Sequence, residues 1–86
     1  MTHNATPDFW ACCRALPEDI RKLADQAFEH LKQDPRYPSL HLKKVRRFWS
    51  ARVGGAHRAL AMEATDGLVW FWIGPHAEYD RLLAMG

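Results

Sequence analysis

Two different periods of polar and apolar residues run along this chain, and the switch between them falls near Leu40. Upstream, Ile20, Leu23, Ala24, Ala27, Phe28 and Leu31 recur every three or four positions, the spacing of one helix face. Glu18 and Asp19 open this segment with negative charge at the positive end of the helix dipole. Asp34-Pro35 closes it, because the residue before a proline avoids the helical region. Before it, Thr6-Pro7-Asp8 supplies a hydroxyl cap, a proline suited to the first helical position and an acid, and Phe9, Cys13 and Leu16 follow at helical spacing. Pro17 separates this short helix from the longer one. The pattern predicts a helical hairpin whose long member lies across a sheet.

Downstream of Leu40 the period shortens. Phe48 to Val53 alternates Trp49, Ala51 and Val53 against Phe48, Ser50 and Arg52. Gly54-Gly55 turns the chain, His57 to Ala64 returns, Thr65-Asp66-Gly67 turns it again, and Leu68 to Ile73 completes a meander. The last run is apolar on both faces and reads as a central strand. Leu40 to Val45 alternates only in part, as a short edge strand or an extended loop would. Gly74-Pro75 is expected to stop the sheet, and Tyr79, Leu82 and Leu83 fit a terminal helix starting near His76. The expected class is α+β: two N-terminal helices packed on a small antiparallel meander, with a short C-terminal helix.

Length confines this plan to one domain spanning 1–86, since 86 residues are too few for two cores. A domain of this size buries only about 60% of its unfolded surface, yet 48% of the chain is hydrophobic and four residues are Trp, so the core is rich. No apolar run approaches the roughly 20 residues of a spanning helix. The opening MTHNATPDFW has neither a basic start nor an apolar stretch, so the reading is a cytoplasmic protein with no membrane partner. Adjacent Cys12 and Cys13 cannot frame a disulfide scaffold and lack the spaced pairs of a zinc site; structural thiols are expected.

The net charge of +2 conceals a lopsided distribution. Residues 1–35 carry a balance of −2 and residues 59–86 one of −3. Between them stand seven cations and no acid: Arg36, Lys43, Lys44, Arg46, Arg47, Arg52 and Arg58, with His41 and His57 interspersed. Such asymmetry is the footprint of a surface that meets phosphates. A solvated strand edge guarded by Lys and Arg against aggregation would look similar.

Two groups of residues could carry chemistry. Strand alternation puts Ser50 and Arg52 on one face, so cations from neighbouring strands can converge there and hold phosphate oxygens through paired N–H donors. In the C-terminal WIGPHAEYD, a helix beginning near His76 places His76, Tyr79 and Asp80 on one side, where an imidazole suits proton transfer in phosphodiester cleavage. A His after Gly-Pro also suits a plain helix start, and a Tyr at this spacing also suits packing. No histidine pair has metal-binding spacing, so neither a metal nor another cofactor is expected, and His3 and His30 should face solvent. Trp70 and Trp72 read as core, whereas Trp49, beside Arg46 and Arg47, is a candidate for ligand contact.

These segments, F-W with A-L-P, A-F-E-H-L-K-Q-D-P, P-S-L-H-L-K-K, W-S-A-R-V-G, H-R-A-L, W-F-W-I-G and H-A-E-Y-D, together resemble the RelE/ParE superfamily of bacterial toxins from toxin-antitoxin systems, from about Pro7 to Leu83. The resemblance implies helices packed on an antiparallel sheet and a C-terminal helix. The family usually opens with a β-strand, which here must be short or absent.

What the resemblance implies about activity divides by branch. RelE-like members cleave messenger RNA on the ribosome without a metal and are silenced by an antitoxin, touching DNA only through the antitoxin complex. ParE-like members inhibit DNA gyrase, and an inactive relic that only binds an antitoxin is a third possibility. Arg52, Arg58 and the Lys43/Lys44 pair match the phosphate-holding positions of the RNA-cleaving branch, and His76 with Tyr79 looks like its C-terminal pair. On this reading the RNA's own 2′-OH is the nucleophile. His76 transfers a proton, Arg58 and Arg52 stabilise the transition state, Tyr79 orients a base or phosphate, and Lys43, Lys44, Arg46, Arg47 and His57 bind RNA. The acid/base division among His76, His57 and Tyr79 stays open at this point.

Overall fold

A computed structural model describes residues 2–34 and 40–85. Arg36, first of the seven cations, and Pro35, the expected helix terminator, lie outside the described residues, as do Pro38-Ser39 of the P-S-L-H-L-K-K segment. The elements in order are β1 (Thr2–Ala5), α1 (Pro7–Arg14), α2 (Glu18–Gln33), β2 (Lys43–Val45), β3 (Phe48–Val53), β4 (His57–Ala64), β5 (Gly67–Pro75) and α3 (His76–Met85).

Local signals set the helix ends. The Thr6 hydroxyl accepts the Phe9 N–H at 3.1 Å and Pro7 takes the first helical turn, so α1 begins where its cap dictates. Asp34 is already extended, with φ −153°, as a residue before proline should be. Within α2, Ala24 and Leu31 are buried as the periodicity required. Leu23 is not: it is 39% exposed, because it overhangs the end of the sheet at the β3–β4 turn. Gly54 holds that turn at φ +62°, and a β-carbon there would stand 3.0 Å from Leu23 Cδ1. Glycine therefore serves both the left-handed backbone and the close approach.

The five strands run in the order β1-β5-β4-β3-β2. From β2 to β5 the sheet is the antiparallel meander read from the sequence, and the segment around Lys43 is a three-residue edge strand. The opening strand exists but is short. It pairs parallel to β5, from Thr2 opposite Gly67 to Ala5 opposite Trp70, because the helical hairpin carries the chain across the sheet before the meander begins.

Gly74-Pro75 does not stop the sheet, contrary to expectation. Arg58 stands opposite Gly74 and His57 opposite Pro75. The pairing of β1 ends at Trp70, so this part of β5 has an open side on which a proline without an N–H is tolerated. An irregularity at Leu60/Ala61 moves the partner from Trp72 to Trp70, leaving Phe71 as the extra residue of a bulge.

The core lies under α1 and α2 and joins Phe9, Cys13, Ala24, Leu31, Ala51, Ala59, Trp70 and Ile73. Trp70 is 1% exposed, whereas Trp72, expected beside it, is half-buried on the other side of the sheet, across from Leu60. The bulge sets these two indoles on opposite faces. His3 and His30 are half-buried, not solvent-facing. The reason for His3 is its place in β1 against Trp70, whose indole N–H points to His3 Nδ1 at 3.4 Å. Burial lowers the His3 pKa below its ordinary 6.5. No helix among the described residues is long and apolar enough to cross a membrane.

Candidate nucleic-acid interface

Cross-strand register decides which cations meet. Arg52 stands directly opposite Arg58, and one step along the same face Ser50 stands opposite Leu60 and Lys43. Ser50 and Leu60 are buried but lie outside the core under the helices, which assigns this row to the far face of the sheet. The Arg52 Nε–H donates to the Gly54 carbonyl at 3.0 Å, and the Arg58 guanidinium donates to the His57 carbonyl at 2.8 Å. Each arginine is thus tied to backbone through one nitrogen while its remaining N–H groups stay available to an anion.

The other predicted RNA-binding residues fall elsewhere. Lys44 pairs across from Trp49 on the helix side, where its Nζ lies 3.1 Å from Glu63 Oε1. The Trp49 indole N–H donates to that same oxygen at 2.9 Å. The indole hydrogen bond, and then Lys44, hold the Glu63 carboxyl below the usual carboxylate range. Lys43 and Lys44 therefore do not form a pair on one surface. Arg46 and Arg47 make the turn between Val45 and Phe48, both exposed, with Arg46 at φ +57°. The Arg47 guanidinium lies 5.5 Å over the Phe48 ring, which packs on Phe71.

His57 follows the same alternation. It stands opposite Val53 and Pro75, on the side away from Arg58, and its Nδ1 is buried with no hydrogen-bond partner. The backbone N–H of His76 donates to the Ala56 carbonyl at 2.9 Å, which pins the start of α3 to the β3–β4 turn. His76 Nδ1 lies 3.6 Å from Asp80 Oδ2, and its ring stacks on Tyr79 with centroids 5.7 Å apart. Tyr79 is 6% exposed, so its ring seats α3 and backs the half-exposed imidazole instead of standing open to a ligand. With Nδ1 turned to Asp80, His76 Nε2 is the nitrogen left for a substrate.

The structure thus brings together Arg52 with Arg58, and His76 with Tyr79 and Asp80. It joins the two groups through the backbone, since Arg58 faces Gly74, two residues before His76. Lys44 and His57 are separated from them. Sequence reasoning missed Glu63, the first acid after the basic stretch; only its spacing as an isolated acid marked it. Cys12 is half-buried and Cys13 buried, and burial raises the Cys13 thiol pKa, consistent with structural thiols. Among the described residues no three His, Cys, Asp or Glu side chains gather as a metal site.

No protein-family model and no curated protein sequence matches the chain. Solved structures do. A RelB–RelE antitoxin–toxin complex from Methanococcus jannaschii contains a chain 20% identical, covering 91% of this chain and 96% of its own, with a TM-score of 0.66. The toxin–antitoxin complex RelBE2 from Mycobacterium tuberculosis gives 22% identity, 87% and 96% coverage and a TM-score of 0.65. A YoeB/ParE toxin from Agrobacterium tumefaciens gives 14% identity, 88% and 99% coverage and a TM-score of 0.66. Over nearly its whole length, this chain has the fold of the RelE and YoeB/ParE toxins.

Proposed function

We propose that this protein is the toxin of a toxin–antitoxin pair, and that it acts as a ribosome-dependent endonuclease of messenger RNA. The toxin role and the antitoxin partner rest on the shared fold and on the two similar structures that are antitoxin–toxin complexes. The RNA-directed activity rests on one observation: Arg52 and Arg58 stand directly opposite each other, and Arg58 pairs with Gly74, two residues before His76.

In this reading the two guanidinium groups hold the scissile phosphate and stabilise charge on the pentacoordinate transition state. The 2′-OH attacks the adjacent phosphorus, His76 Nε2 accepts its proton, and the bond to the 5′-oxygen breaks. That oxygen takes up a proton from solvent water and the His76 imidazolium returns its proton to solvent, giving a 2′,3′-cyclic phosphate and a 5′-OH end. Asp80, facing Nδ1, orients the imidazole so that Nε2 is presented to the substrate. Tyr79 is a positioning residue behind the imidazole. General base catalysis supplies typically about 10² to 10⁴-fold, so the ribosome's positioning of the messenger must supply much of the rest.

The test compares wild type with His76→Ala on programmed ribosomes. The variant should keep its fold and ribosome affinity while mRNA cutting falls by about 10² to 10⁴. A folded variant that cuts at the wild-type rate would sink the assignment. Growth arrest by wild type with no RNA cuts would move the protein to the gyrase-directed reading.

A further inference from the structure

The face of the sheet turned away from α1 and α2 carries an aromatic patch that the function proposed above does not use. Phe48 opens β3 on this face, in alternation with Ser50 and Arg52, and is half-buried. Phe71 meets it from β5, across β4, with ring centroids 5.6 Å apart. Phe71 is the extra residue of the bulge, an irregularity that re-aims a side chain and here turns this ring toward Phe48. Beside them on β4, Met62 is 49% exposed. We infer that Phe48 and Phe71 form a stacking platform for one unpaired base of single-stranded RNA. The inference deepens the RNA-directed reading and rests on it for the class of ligand.

Charge selects the occupant. The alternation that starts at Phe48 runs through Ser50, opposite Lys43, to Arg52, opposite Arg58, so these cations share the face of the rings. Among the described residues the five strands hold one acid, Glu63, and it lies on the helix side with Trp49 and Lys44. An apolar patch on strands whose charges on that face are all positive suits a ligand that is both anionic and aromatic. Four residues of strand, about 13 Å, separate Phe48 from Arg52. The stacked base therefore flanks the phosphate held by Arg52 and Arg58 and belongs to a neighbouring nucleotide.

Arg47 completes the platform. Its guanidinium lies 5.5 Å over the Phe48 ring at an exposed turn. A cation–π contact at such a site is weaker than a base–aromatic stack, so an arriving base displaces the guanidinium, which then meets a phosphate of the same strand. Every base has a π-face, and the rings accept any of them. The platform thus positions the strand and leaves sequence preference to other contacts.

The experiment measures binding of the full chain to single-stranded hexauridylate and, as an anion without bases, to polyphosphate, each across a salt series. Phe48→Leu keeps an apolar side chain beside Phe71 and removes the π-face. It should weaken hexauridylate by about 5- to 100-fold, the loss of one stack, while its salt slope and its polyphosphate binding stay at wild-type values, because a stack releases no counterions. Phe48→Tyr should keep wild-type affinity, and Phe71→Leu repeats the test from the other strand. Arg47→Ala should instead lower the salt slope by about one. No binding of hexauridylate by wild type, an equal loss for both ligands, or wild-type RNA affinity in folded Phe48→Leu and Phe71→Leu overturns the inference. Unchanged RNA affinity with weakened binding of poly-glutamate would assign the face to an acidic protein. Wild type that binds hexauridylate through Phe48 but cuts no messenger on ribosomes sinks the nuclease reading alone. Cutting by wild type, with no contribution of Phe48 to RNA binding, sinks the platform alone.

Discussion

Arg52 and Arg58 face each other across β3 and β4, two like charges at a directly opposed cross-strand position. Such a pair works against the sheet by roughly 0.2–1 kcal/mol, and a bound anion would offset the repulsion. Arg58→Ala removes the repulsion but also the hydrogen bond to the His57 carbonyl, itself worth about 0.5–1.5 kcal/mol net. The two effects nearly cancel. Stability of the variant, measured by urea unfolding, should stay within about 1 kcal/mol of wild type, while cleavage on programmed ribosomes falls by about 10² to 10³. A large loss of stability with proportionate loss of cutting would make Arg58 structural.

Tyr79 separates seating from chemistry. Its ring is buried and stacked on His76, so removing the ring should cost about 3–5 kcal/mol, a large share of a small domain's stability. Tyr79→Phe keeps the ring and should preserve both melting temperature and cleavage, whereas Tyr79→Ala should unfold or melt far lower. Loss of cutting in a fully folded Tyr79→Phe would give the hydroxyl a direct role that its burial argues against.

The basic residues should contribute unequally to RNA binding because Lys44 is held in an ion pair while Arg46 and Arg47 stand exposed at the turn. Arg46→Ala and Arg47→Ala, at the exposed turn, should each reduce the salt slope of ribosome binding by about one. Lys44→Ala should matter less, since Lys44 is engaged by Glu63 at 3.1 Å. Glu63→Gln releases Lys44 and should tighten binding and steepen the slope. Affinities measured across a salt series decide it; identical slopes for all four variants would contradict the assignment.

His3 should make stability depend on pH. Its imidazole takes the Trp70 N–H on Nδ1 and is half-buried, and burial lowers its folded-state pKa below 6.5. The unfolded chain therefore binds a proton more readily than the folded one as pH drops below 6.5. The stabilisation is fully present above that pH and is lost as pH falls towards the folded-state pKa. Melting temperatures between about pH 8 and 5 should fall more steeply for wild type than for His3→Leu. Parallel curves would remove His3 as a source of the dependence.

Much of this architecture was legible in order along the chain because burial demand is written locally. The Thr6-Pro7-Asp8 cap, the apolar face of α2, the Gly54-Gly55 turn and the helix starting at His76 each follow from residues a few positions apart. The charge asymmetry was likewise a property of sequence, as was the gathering of His76, Tyr79 and Asp80 on one turn of helix. Tertiary structure decided what depends on pairing between distant segments. It set β1 parallel to β5, carried β5 through Gly74-Pro75, and used the bulge to put Trp70 and Trp72 on opposite faces. It also placed Arg52 with Arg58 while sending Lys44 and His57 to the other side. A one-residue change of register inverts the face of every side chain in a strand, and register is chosen by packing across the whole sheet rather than by any single run of residues.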